Sequence, residues 1–209
     1  MDQKIISQIF DDTAYVRTGG SPEELKTARY IQDQCARFGV QASIEAFQVD
    51  MATIKEAQLT AEGKDIPCKG YLCAASGTVE APLYYLTGNN PQALAGCKGK
   101  IVMIDGYLGY WKYKDLLESG AVGFITYDGN INYTDRDIDQ RELRSYVSEG
   151  KLLCGVNINA KDAMELIRSG VKTVKIHLDQ EQYKADSHNV ILDLPGETDE
   201  YIVFSAHYD

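Results

Sequence analysis

Two short apolar runs constrain the fold of this 209-residue chain more than any other feature: KIVMID at 100–105 and VGFITY at 122–127. Each has the length of one strand, lacks polar alternation and is bounded by glycines, which is the pattern of a strand buried on both faces. Between them, 111–119 reads as a short helix that Gly120 ends. The rhythm continues with a strand over 152–158, a helix over 160–168 capped by Asn159, and an alternating strand over 172–178. A chain built this way is expected to be an α/β protein.

The flanks differ in character. Ile5, Ile6, Ile9 and Phe10 recur at helical spacing. After RTGG, Ser21 is placed to cap a helix, Pro22 suits its first position and Glu24 completes a capping box. Leu25, Ala28, Ile31 and Cys35 then form one apolar stripe, and Gly39 is a C-terminal stop, so 21–38 is predicted as an amphipathic helix. Residues 43–61 read as a strand, 62–65 (EGKD) as a turn, and 66–75 as a returning strand that Pro67 makes irregular. A further strand is expected over 79–86, ended by TGNNP. Residues 128–150 are expected to be mostly loop, with a short helix near 141–147. HNVILDL (188–194) and YIVFSA (201–206) are predicted as two strands joined by a turn at Pro195-Gly196.

Charge and cysteine usage exclude several functions. A formal net charge of -10 repels phosphate backbones and anionic membrane surfaces, so neither nucleic acid nor membrane is an expected partner. The same field favours metal cations and the ammonium end of a peptide. The five cysteines are irregularly spaced and include no C-x-x-C pair, which argues against a disulfide framework or a cysteine zinc site, although a single Cys68–Cys73 bridge stays open. No basic n-region or long apolar h-region follows Met1, so a cytoplasmic location is expected. There is no G-x-S-x-G elbow around Ser205, no P-loop and no dinucleotide fingerprint.

The closing block NVILDLPGETDEYIVFSAHYD carries Asn189, Val190, Ile191, Leu194, Pro195, Gly196, Ala206, His207 and Asp209. In this it resembles the co-catalytic zinc aminopeptidases, peptidase family M28. Arg17, Gly20, Ser21, Ala28, Tyr30, Ile31 and Gly39 are similar to that family's opening helix pair. The middle, through Gly99, Lys100, Ile101, Val102, Lys114, Gly120, Ala121, Gly123 and Ile125, resembles a protease-associated domain. The resemblance implies an incomplete aminopeptidase-type α/β sheet domain formed by 1–48 and 181–209, into which 49–180 is inserted as a β-rich protease-associated domain, a sandwich or barrel with short helices. That domain would cover the active site, select substrates or mediate association.

His-x-Asp alone is a weak motif. Zinc takes imidazole nitrogen, and a carboxylate two residues away in extended chain points to the same side, where it fixes the ring's tautomer. By resemblance His207 is a zinc ligand and Asp209 its supporting carboxylate. The intact enzyme would hold two zinc ions and release N-terminal residues from peptides. The bridging aspartate, the catalytic glutamate and the other ligands would lie beyond Asp209, leaving this portion inactive alone. A non-catalytic recognition module, or a related zinc amide hydrolase such as a glutaminyl cyclase or carboxypeptidase, stays open. Unpaired strand edges would favour a homodimer, which light scattering tests.

Other residues have plainer readings. His188 reads as a polar residue at a strand start and His177 as a surface residue. Asp128, Asn130, Asn132, Thr134 and Asp139 echo a calcium loop, but Tyr133 stands where the loop needs glycine and Asp139 where it needs glutamate. Asn132-Tyr133-Thr134 is a glycosylation sequon expected to go unused. Tyr107, Tyr110, Trp111 and Tyr113 read as helix packing, with peptide contact as the alternative.

Overall fold

The computed structural model describes residues 3–135 and 137–209. The first two residues of the expected 1–48 segment, and Arg136 in the expected loop 128–150, lie outside the described residues. The chain divides into two compact units, one made of residues up to Met51 together with Lys184–Asp209, the other of Ala52–Tyr183.

In chain order the elements are α1 (Gln3–Thr13), α2 (Pro22–Arg37), β1 (Ala42–Ala61), β2 (Lys64–Ile66), β3 (Lys69–Gly70), β4 (Gly77–Tyr85) and α3 (Pro91–Ala95). They continue with β5 (Ile101–Asp105), α4 (Tyr110–Glu118), β6 (Gly123–Asp128), α5 (Ser145–Ser148), β7 (Cys154–Asn159), α6 (Ala160–Ser169) and β8 (Thr173–Leu192). The strands form one mixed sheet in the order β2-β1-β8-β4-β5-β6-β7-β3. Its centre is parallel: Leu83 pairs with Ile101, Ile101 with Gly123, and Gly123 with Cys154. β8 and β3 run antiparallel on either side of this centre. Ile101, Val102 and Met103 are fully buried, as the absence of alternation in KIVMID requires.

The core lies in the second unit. Phe124 is its centre, fully buried, with edge-on contacts to Tyr71 at 5.0 Å and Tyr113 at 6.1 Å between ring centroids. The phenol of Tyr113 donates to the Lys151 carbonyl at 2.7 Å and accepts from the Leu153 N–H at 2.9 Å, which ties α4 to the segment leading into β7. Of the aromatic group expected to pack, Tyr113 is the core member, while Tyr107 and Trp111 are 44% and 73% exposed. Burial pushes the phenols of Tyr71 and Tyr113 up to about 12 each. A raised tyrosine pKa contributes stability that is complete below the unfolded value of 10.0 and is lost as pH rises toward the folded one. Urea unfolding midpoints should therefore fall between pH 10 and pH 12, and the fall should shrink in a Tyr113→Phe variant.

Several sequence expectations need correction. The returning strand over 66–75 is two pieces. Pro67 has no N–H to give a ladder, and it separates β2, paired with β1 at Leu59–Ile66, from β3, paired with β7. The strands expected at 172–178 and 188–194 are one strand, β8. α3 was not expected. Asn90 caps it by accepting from the Ala93 N–H at 3.0 Å, with Pro91 at its start. The Cys68–Cys73 bridge that the sequence left open does not form. The segment 201–206 is not a strand: among the described residues no neighbour supplies its backbone partners, and Tyr201, Ile202, Val203 and Phe204 are 83–93% exposed. α1 forms as expected, yet none of its residues is buried, and Phe10 is 70% exposed. No helix is long and apolar enough to cross a membrane among the described residues.

Candidate metal site

The first unit holds the His-x-Asp pair. α2 begins at Pro22, and the Ser21 hydroxyl accepts from the Glu24 N–H at 3.2 Å. Only this half of the expected capping box forms. The Glu24 carboxylate does not return to the Ser21 N–H, which bonds the Thr18 carbonyl instead. Glu24 turns inward, is fully buried and accepts three hydrogen bonds from elsewhere in the unit. Two come from His188, through its N–H at 3.2 Å and its Nδ1 at 2.9 Å. The third comes from the Tyr208 hydroxyl. His188, read from the sequence as a polar strand residue, is the partner of a buried carboxylate.

Residues 207–209 lie outside any strand. His207 and Asp209 point the same way, as residues two apart in extended chain do, and Nδ1 of His207 is 3.0 Å from Asp209 Oδ1. A carboxylate only accepts, so the neutral ring carries its proton on Nδ1 and keeps the lone pair on Nε2. The His207 side chain is 94% exposed, which leaves Nε2 open to solvent. Asp209 lies close to Gly19, where a Cβ would stand 3.2 Å from Asp209 Oδ2 and 3.3 Å from Ser187 Oγ. Gly20 adopts φ +81°, a conformation that favours glycine, and a Cβ there would meet Val49 at 3.0 Å and Ala185 at 3.1 Å.

Tyr208 points the opposite way and anchors the segment. Its hydroxyl reaches Glu24 and stands 2.6 Å from the His188 carbonyl, one proton lying between two acceptors. Its own carbonyl accepts from Arg17 Nε, and Arg17 Nη1 also donates to the Thr13 and Tyr15 carbonyls. Burial, followed by the hydrogen bond to Glu24, holds the Tyr208 phenol well above its ordinary pKa. A cleft of about 300 Å³ follows this segment, with Phe47, Ser187 and Asn189 in its walls beside His207 and Asp209.

The donor chemistry suits zinc, which takes neutral imidazole nitrogen backed by a carboxylate. It amounts to a single donor. Among the described residues no three His, Cys, Asp or Glu side chains are grouped to hold a metal ion. Of the calcium-loop candidates, Asp128 is committed elsewhere: its Oδ2 accepts from Arg141 at 2.9 and 3.1 Å and from Asn157 Nδ2 at 2.7 Å. His177 bonds Thr78 at 2.8 Å on the sheet surface. Sequence reading missed Glu24, Tyr208 and Arg17 as parts of the site. Glu24 was visible as half of a capping box and Arg17 as one of the residues similar to the aminopeptidases' opening helix pair, but nothing in periodicity marks a carboxylate that turns inward.

No family model matches this sequence, and no curated protein does. Solved structures do. An aminopeptidase from Aneurinibacillus sp. strain AM-1 is 25% identical with a TM-score of 0.65, over 95% of this chain and 49% of that one. BSAP, a zinc aminopeptidase from Bacillus subtilis, is 24% identical with a TM-score of 0.64, over 90% of this chain and 45% of that one. A Peptidase M28 precursor from Shewanella amazonensis SB2B is 17% identical with a TM-score of 0.64, over 90% and 48%. The chain thus has the fold of M28-type aminopeptidases and spans about half of their length.

Proposed function

We propose that this chain supplies the first metal-binding segment of a zinc-dependent aminopeptidase, with the remaining donors coming from polypeptide outside the 209 residues. The observation that carries this reading is the His207–Asp209 pair: Nδ1 is engaged by a carboxylate at 3.0 Å and Nε2 is left free. Half-length coverage of zinc aminopeptidases and a single available donor both fit a site completed elsewhere.

In this reading His207 offers Nε2, and Asp209 holds the ring in the tautomer that keeps that lone pair available. A zinc ion in such a site supplies Lewis-acid chemistry for amide hydrolysis. The 300 Å³ cleft beside His207 gives the N-terminal residue of a peptide a place to lie. Ala52–Tyr183 is read as the protease-associated domain, on the strength of β5, α4 and β6.

Single-donor geometry also suits a second reading, a non-catalytic recognition module. Aminoacyl-anilide hydrolysis by the full-length gene product, with and without chelator, separates the two. Activity lost to chelator and restored by zinc is expected. A full-length product that retains zinc yet hydrolyses no aminoacyl-anilide excludes the aminopeptidase, and one that retains no zinc favours the recognition module.

A further inference from the structure

We propose that Glu24 and Tyr208 are positioning residues for the His207–Asp209 pair, the buried carboxylate fixing the tyrosine between the two metal-facing side chains. The inference rests on the reading of His207 as a zinc donor, but its geometry stands apart from any metal.

Among the described residues no ladder holds the segment that carries His207. It belongs to no strand, and the four residues at 201–204 are 83–93% exposed. A histidine in this setting would sample many orientations, and holding a ligand in place is what makes a metal site tight. Tyr208 takes over that task. Alternation in an extended chain sends its ring away from His207 and Asp209, and both its ends are fixed. The hydroxyl meets Glu24 and the His188 carbonyl, and the backbone carbonyl meets Arg17. Both of its chain neighbours are thereby oriented from one residue.

Glu24 is built for the role. A fully buried carboxylate is costly unless several donors face it, and this one faces three, from β8 and from the 207–209 segment. α2 delivers it from its first turn, where the helix dipole favours negative charge. Glu24 therefore joins three separate stretches of chain: the start of α2, β8 at His188, and the His-x-Asp segment. Ordinary helix capping would not require that burial or those partners.

The test uses ¹⁵N shifts of His207 in the 209-residue chain at a pH where its ring is neutral. In the wild type the Nδ1–H form should dominate, as Asp209 demands. Tyr208→Phe removes only the hydroxyl. It should return His207 toward the tautomer mixture of a free imidazole while the protein stays folded by circular dichroism. Glu24→Gln presents an NH₂ group to at least one of the three donors and should act in the same direction. In the full-length product, Tyr208→Phe should weaken zinc binding roughly 10-fold. Unchanged His207 tautomers in a folded Tyr208→Phe variant would overturn the proposal. If Glu24→Gln does not fold, Tyr208→Phe alone decides. A separate arm tests the underlying reading: His207→Ala in the full-length product should abolish zinc retention. If zinc stays, the ligand assignment falls, whatever the tautomers show.

Discussion

Replacing Phe124 with alanine should cost about 3–5 kcal/mol of stability, the usual range for deleting a fully buried aromatic ring. Three observations place this site at the high end. Phe124 has no exposed surface, and it lies edge-on to both Tyr71 and Tyr113. It also lies directly over Gly155, where a Cβ would stand 2.1 Å from the Phe124 Cζ atom. The missing side chain at 155 gives this ring its room, and alanine at 124 would leave a cavity between Gly155 and the two tyrosine rings. Gly155→Ala should be damaging for the opposite reason, overpacking. Urea unfolding monitored by tyrosine fluorescence gives the difference in midpoint and slope. A loss under about 1 kcal/mol would show that the ring is not packed as described.

The second large effect concerns function. His207→Ala in the full-length product should reduce zinc affinity by more than the roughly 10–100-fold that hydrogen-bonding partners of a ligand are worth. Asp209→Asn should fall within that range. Its side chain keeps an oxygen acceptor for Nδ1 but loses the charge that strengthens the hydrogen bond holding the ring. Zinc content after dialysis, measured by atomic absorption, ranks the variants. Equal retention in His207→Ala and wild type would remove His207 from the ligand set. Peptidase activity should fall in the same order, because the aminopeptidase reading gives both residues to one site.

What the sequence makes legible follows from how local each signal is. KIVMID and VGFITY become β5 and β6 because continuous apolar runs of that length have few places to go other than the middle of a sheet. The N-terminal cap of α2 and the Asn159 cap of α6 form because cap chemistry is settled within one turn. Pairing is less legible. Nothing in residues 66–75 says that Lys69 and Gly70 leave the β1 edge for β7, since that depends on strands nearly ninety residues away in sequence. The missing strand at 201–206 shows the same dependence. Tyr-Ile-Val-Phe has strong strand propensity, but propensity does not provide a partner. In the site, the His-x-Asp contact is readable because two residues in extended chain face the same way. The Glu24 cluster is not, because it joins residues 164 and 184 positions apart in sequence.

β1 and β8 have a consequence for how the gene can be rearranged. Gln48 bonds Asp186 at 2.9 Å, and Asp50 pairs with Lys184, so the two strands are already cross-linked just before Ala52 and just after Tyr183. The points where the chain leaves the first unit and returns to it thus lie on neighbouring strands, close together. A turn of about two residues joining Met51 to Lys184 would close an ordinary hairpin there. Replacing the intervening 132 residues by such a turn is expected to leave the first unit folded, a result that circular dichroism of the shortened chain checks.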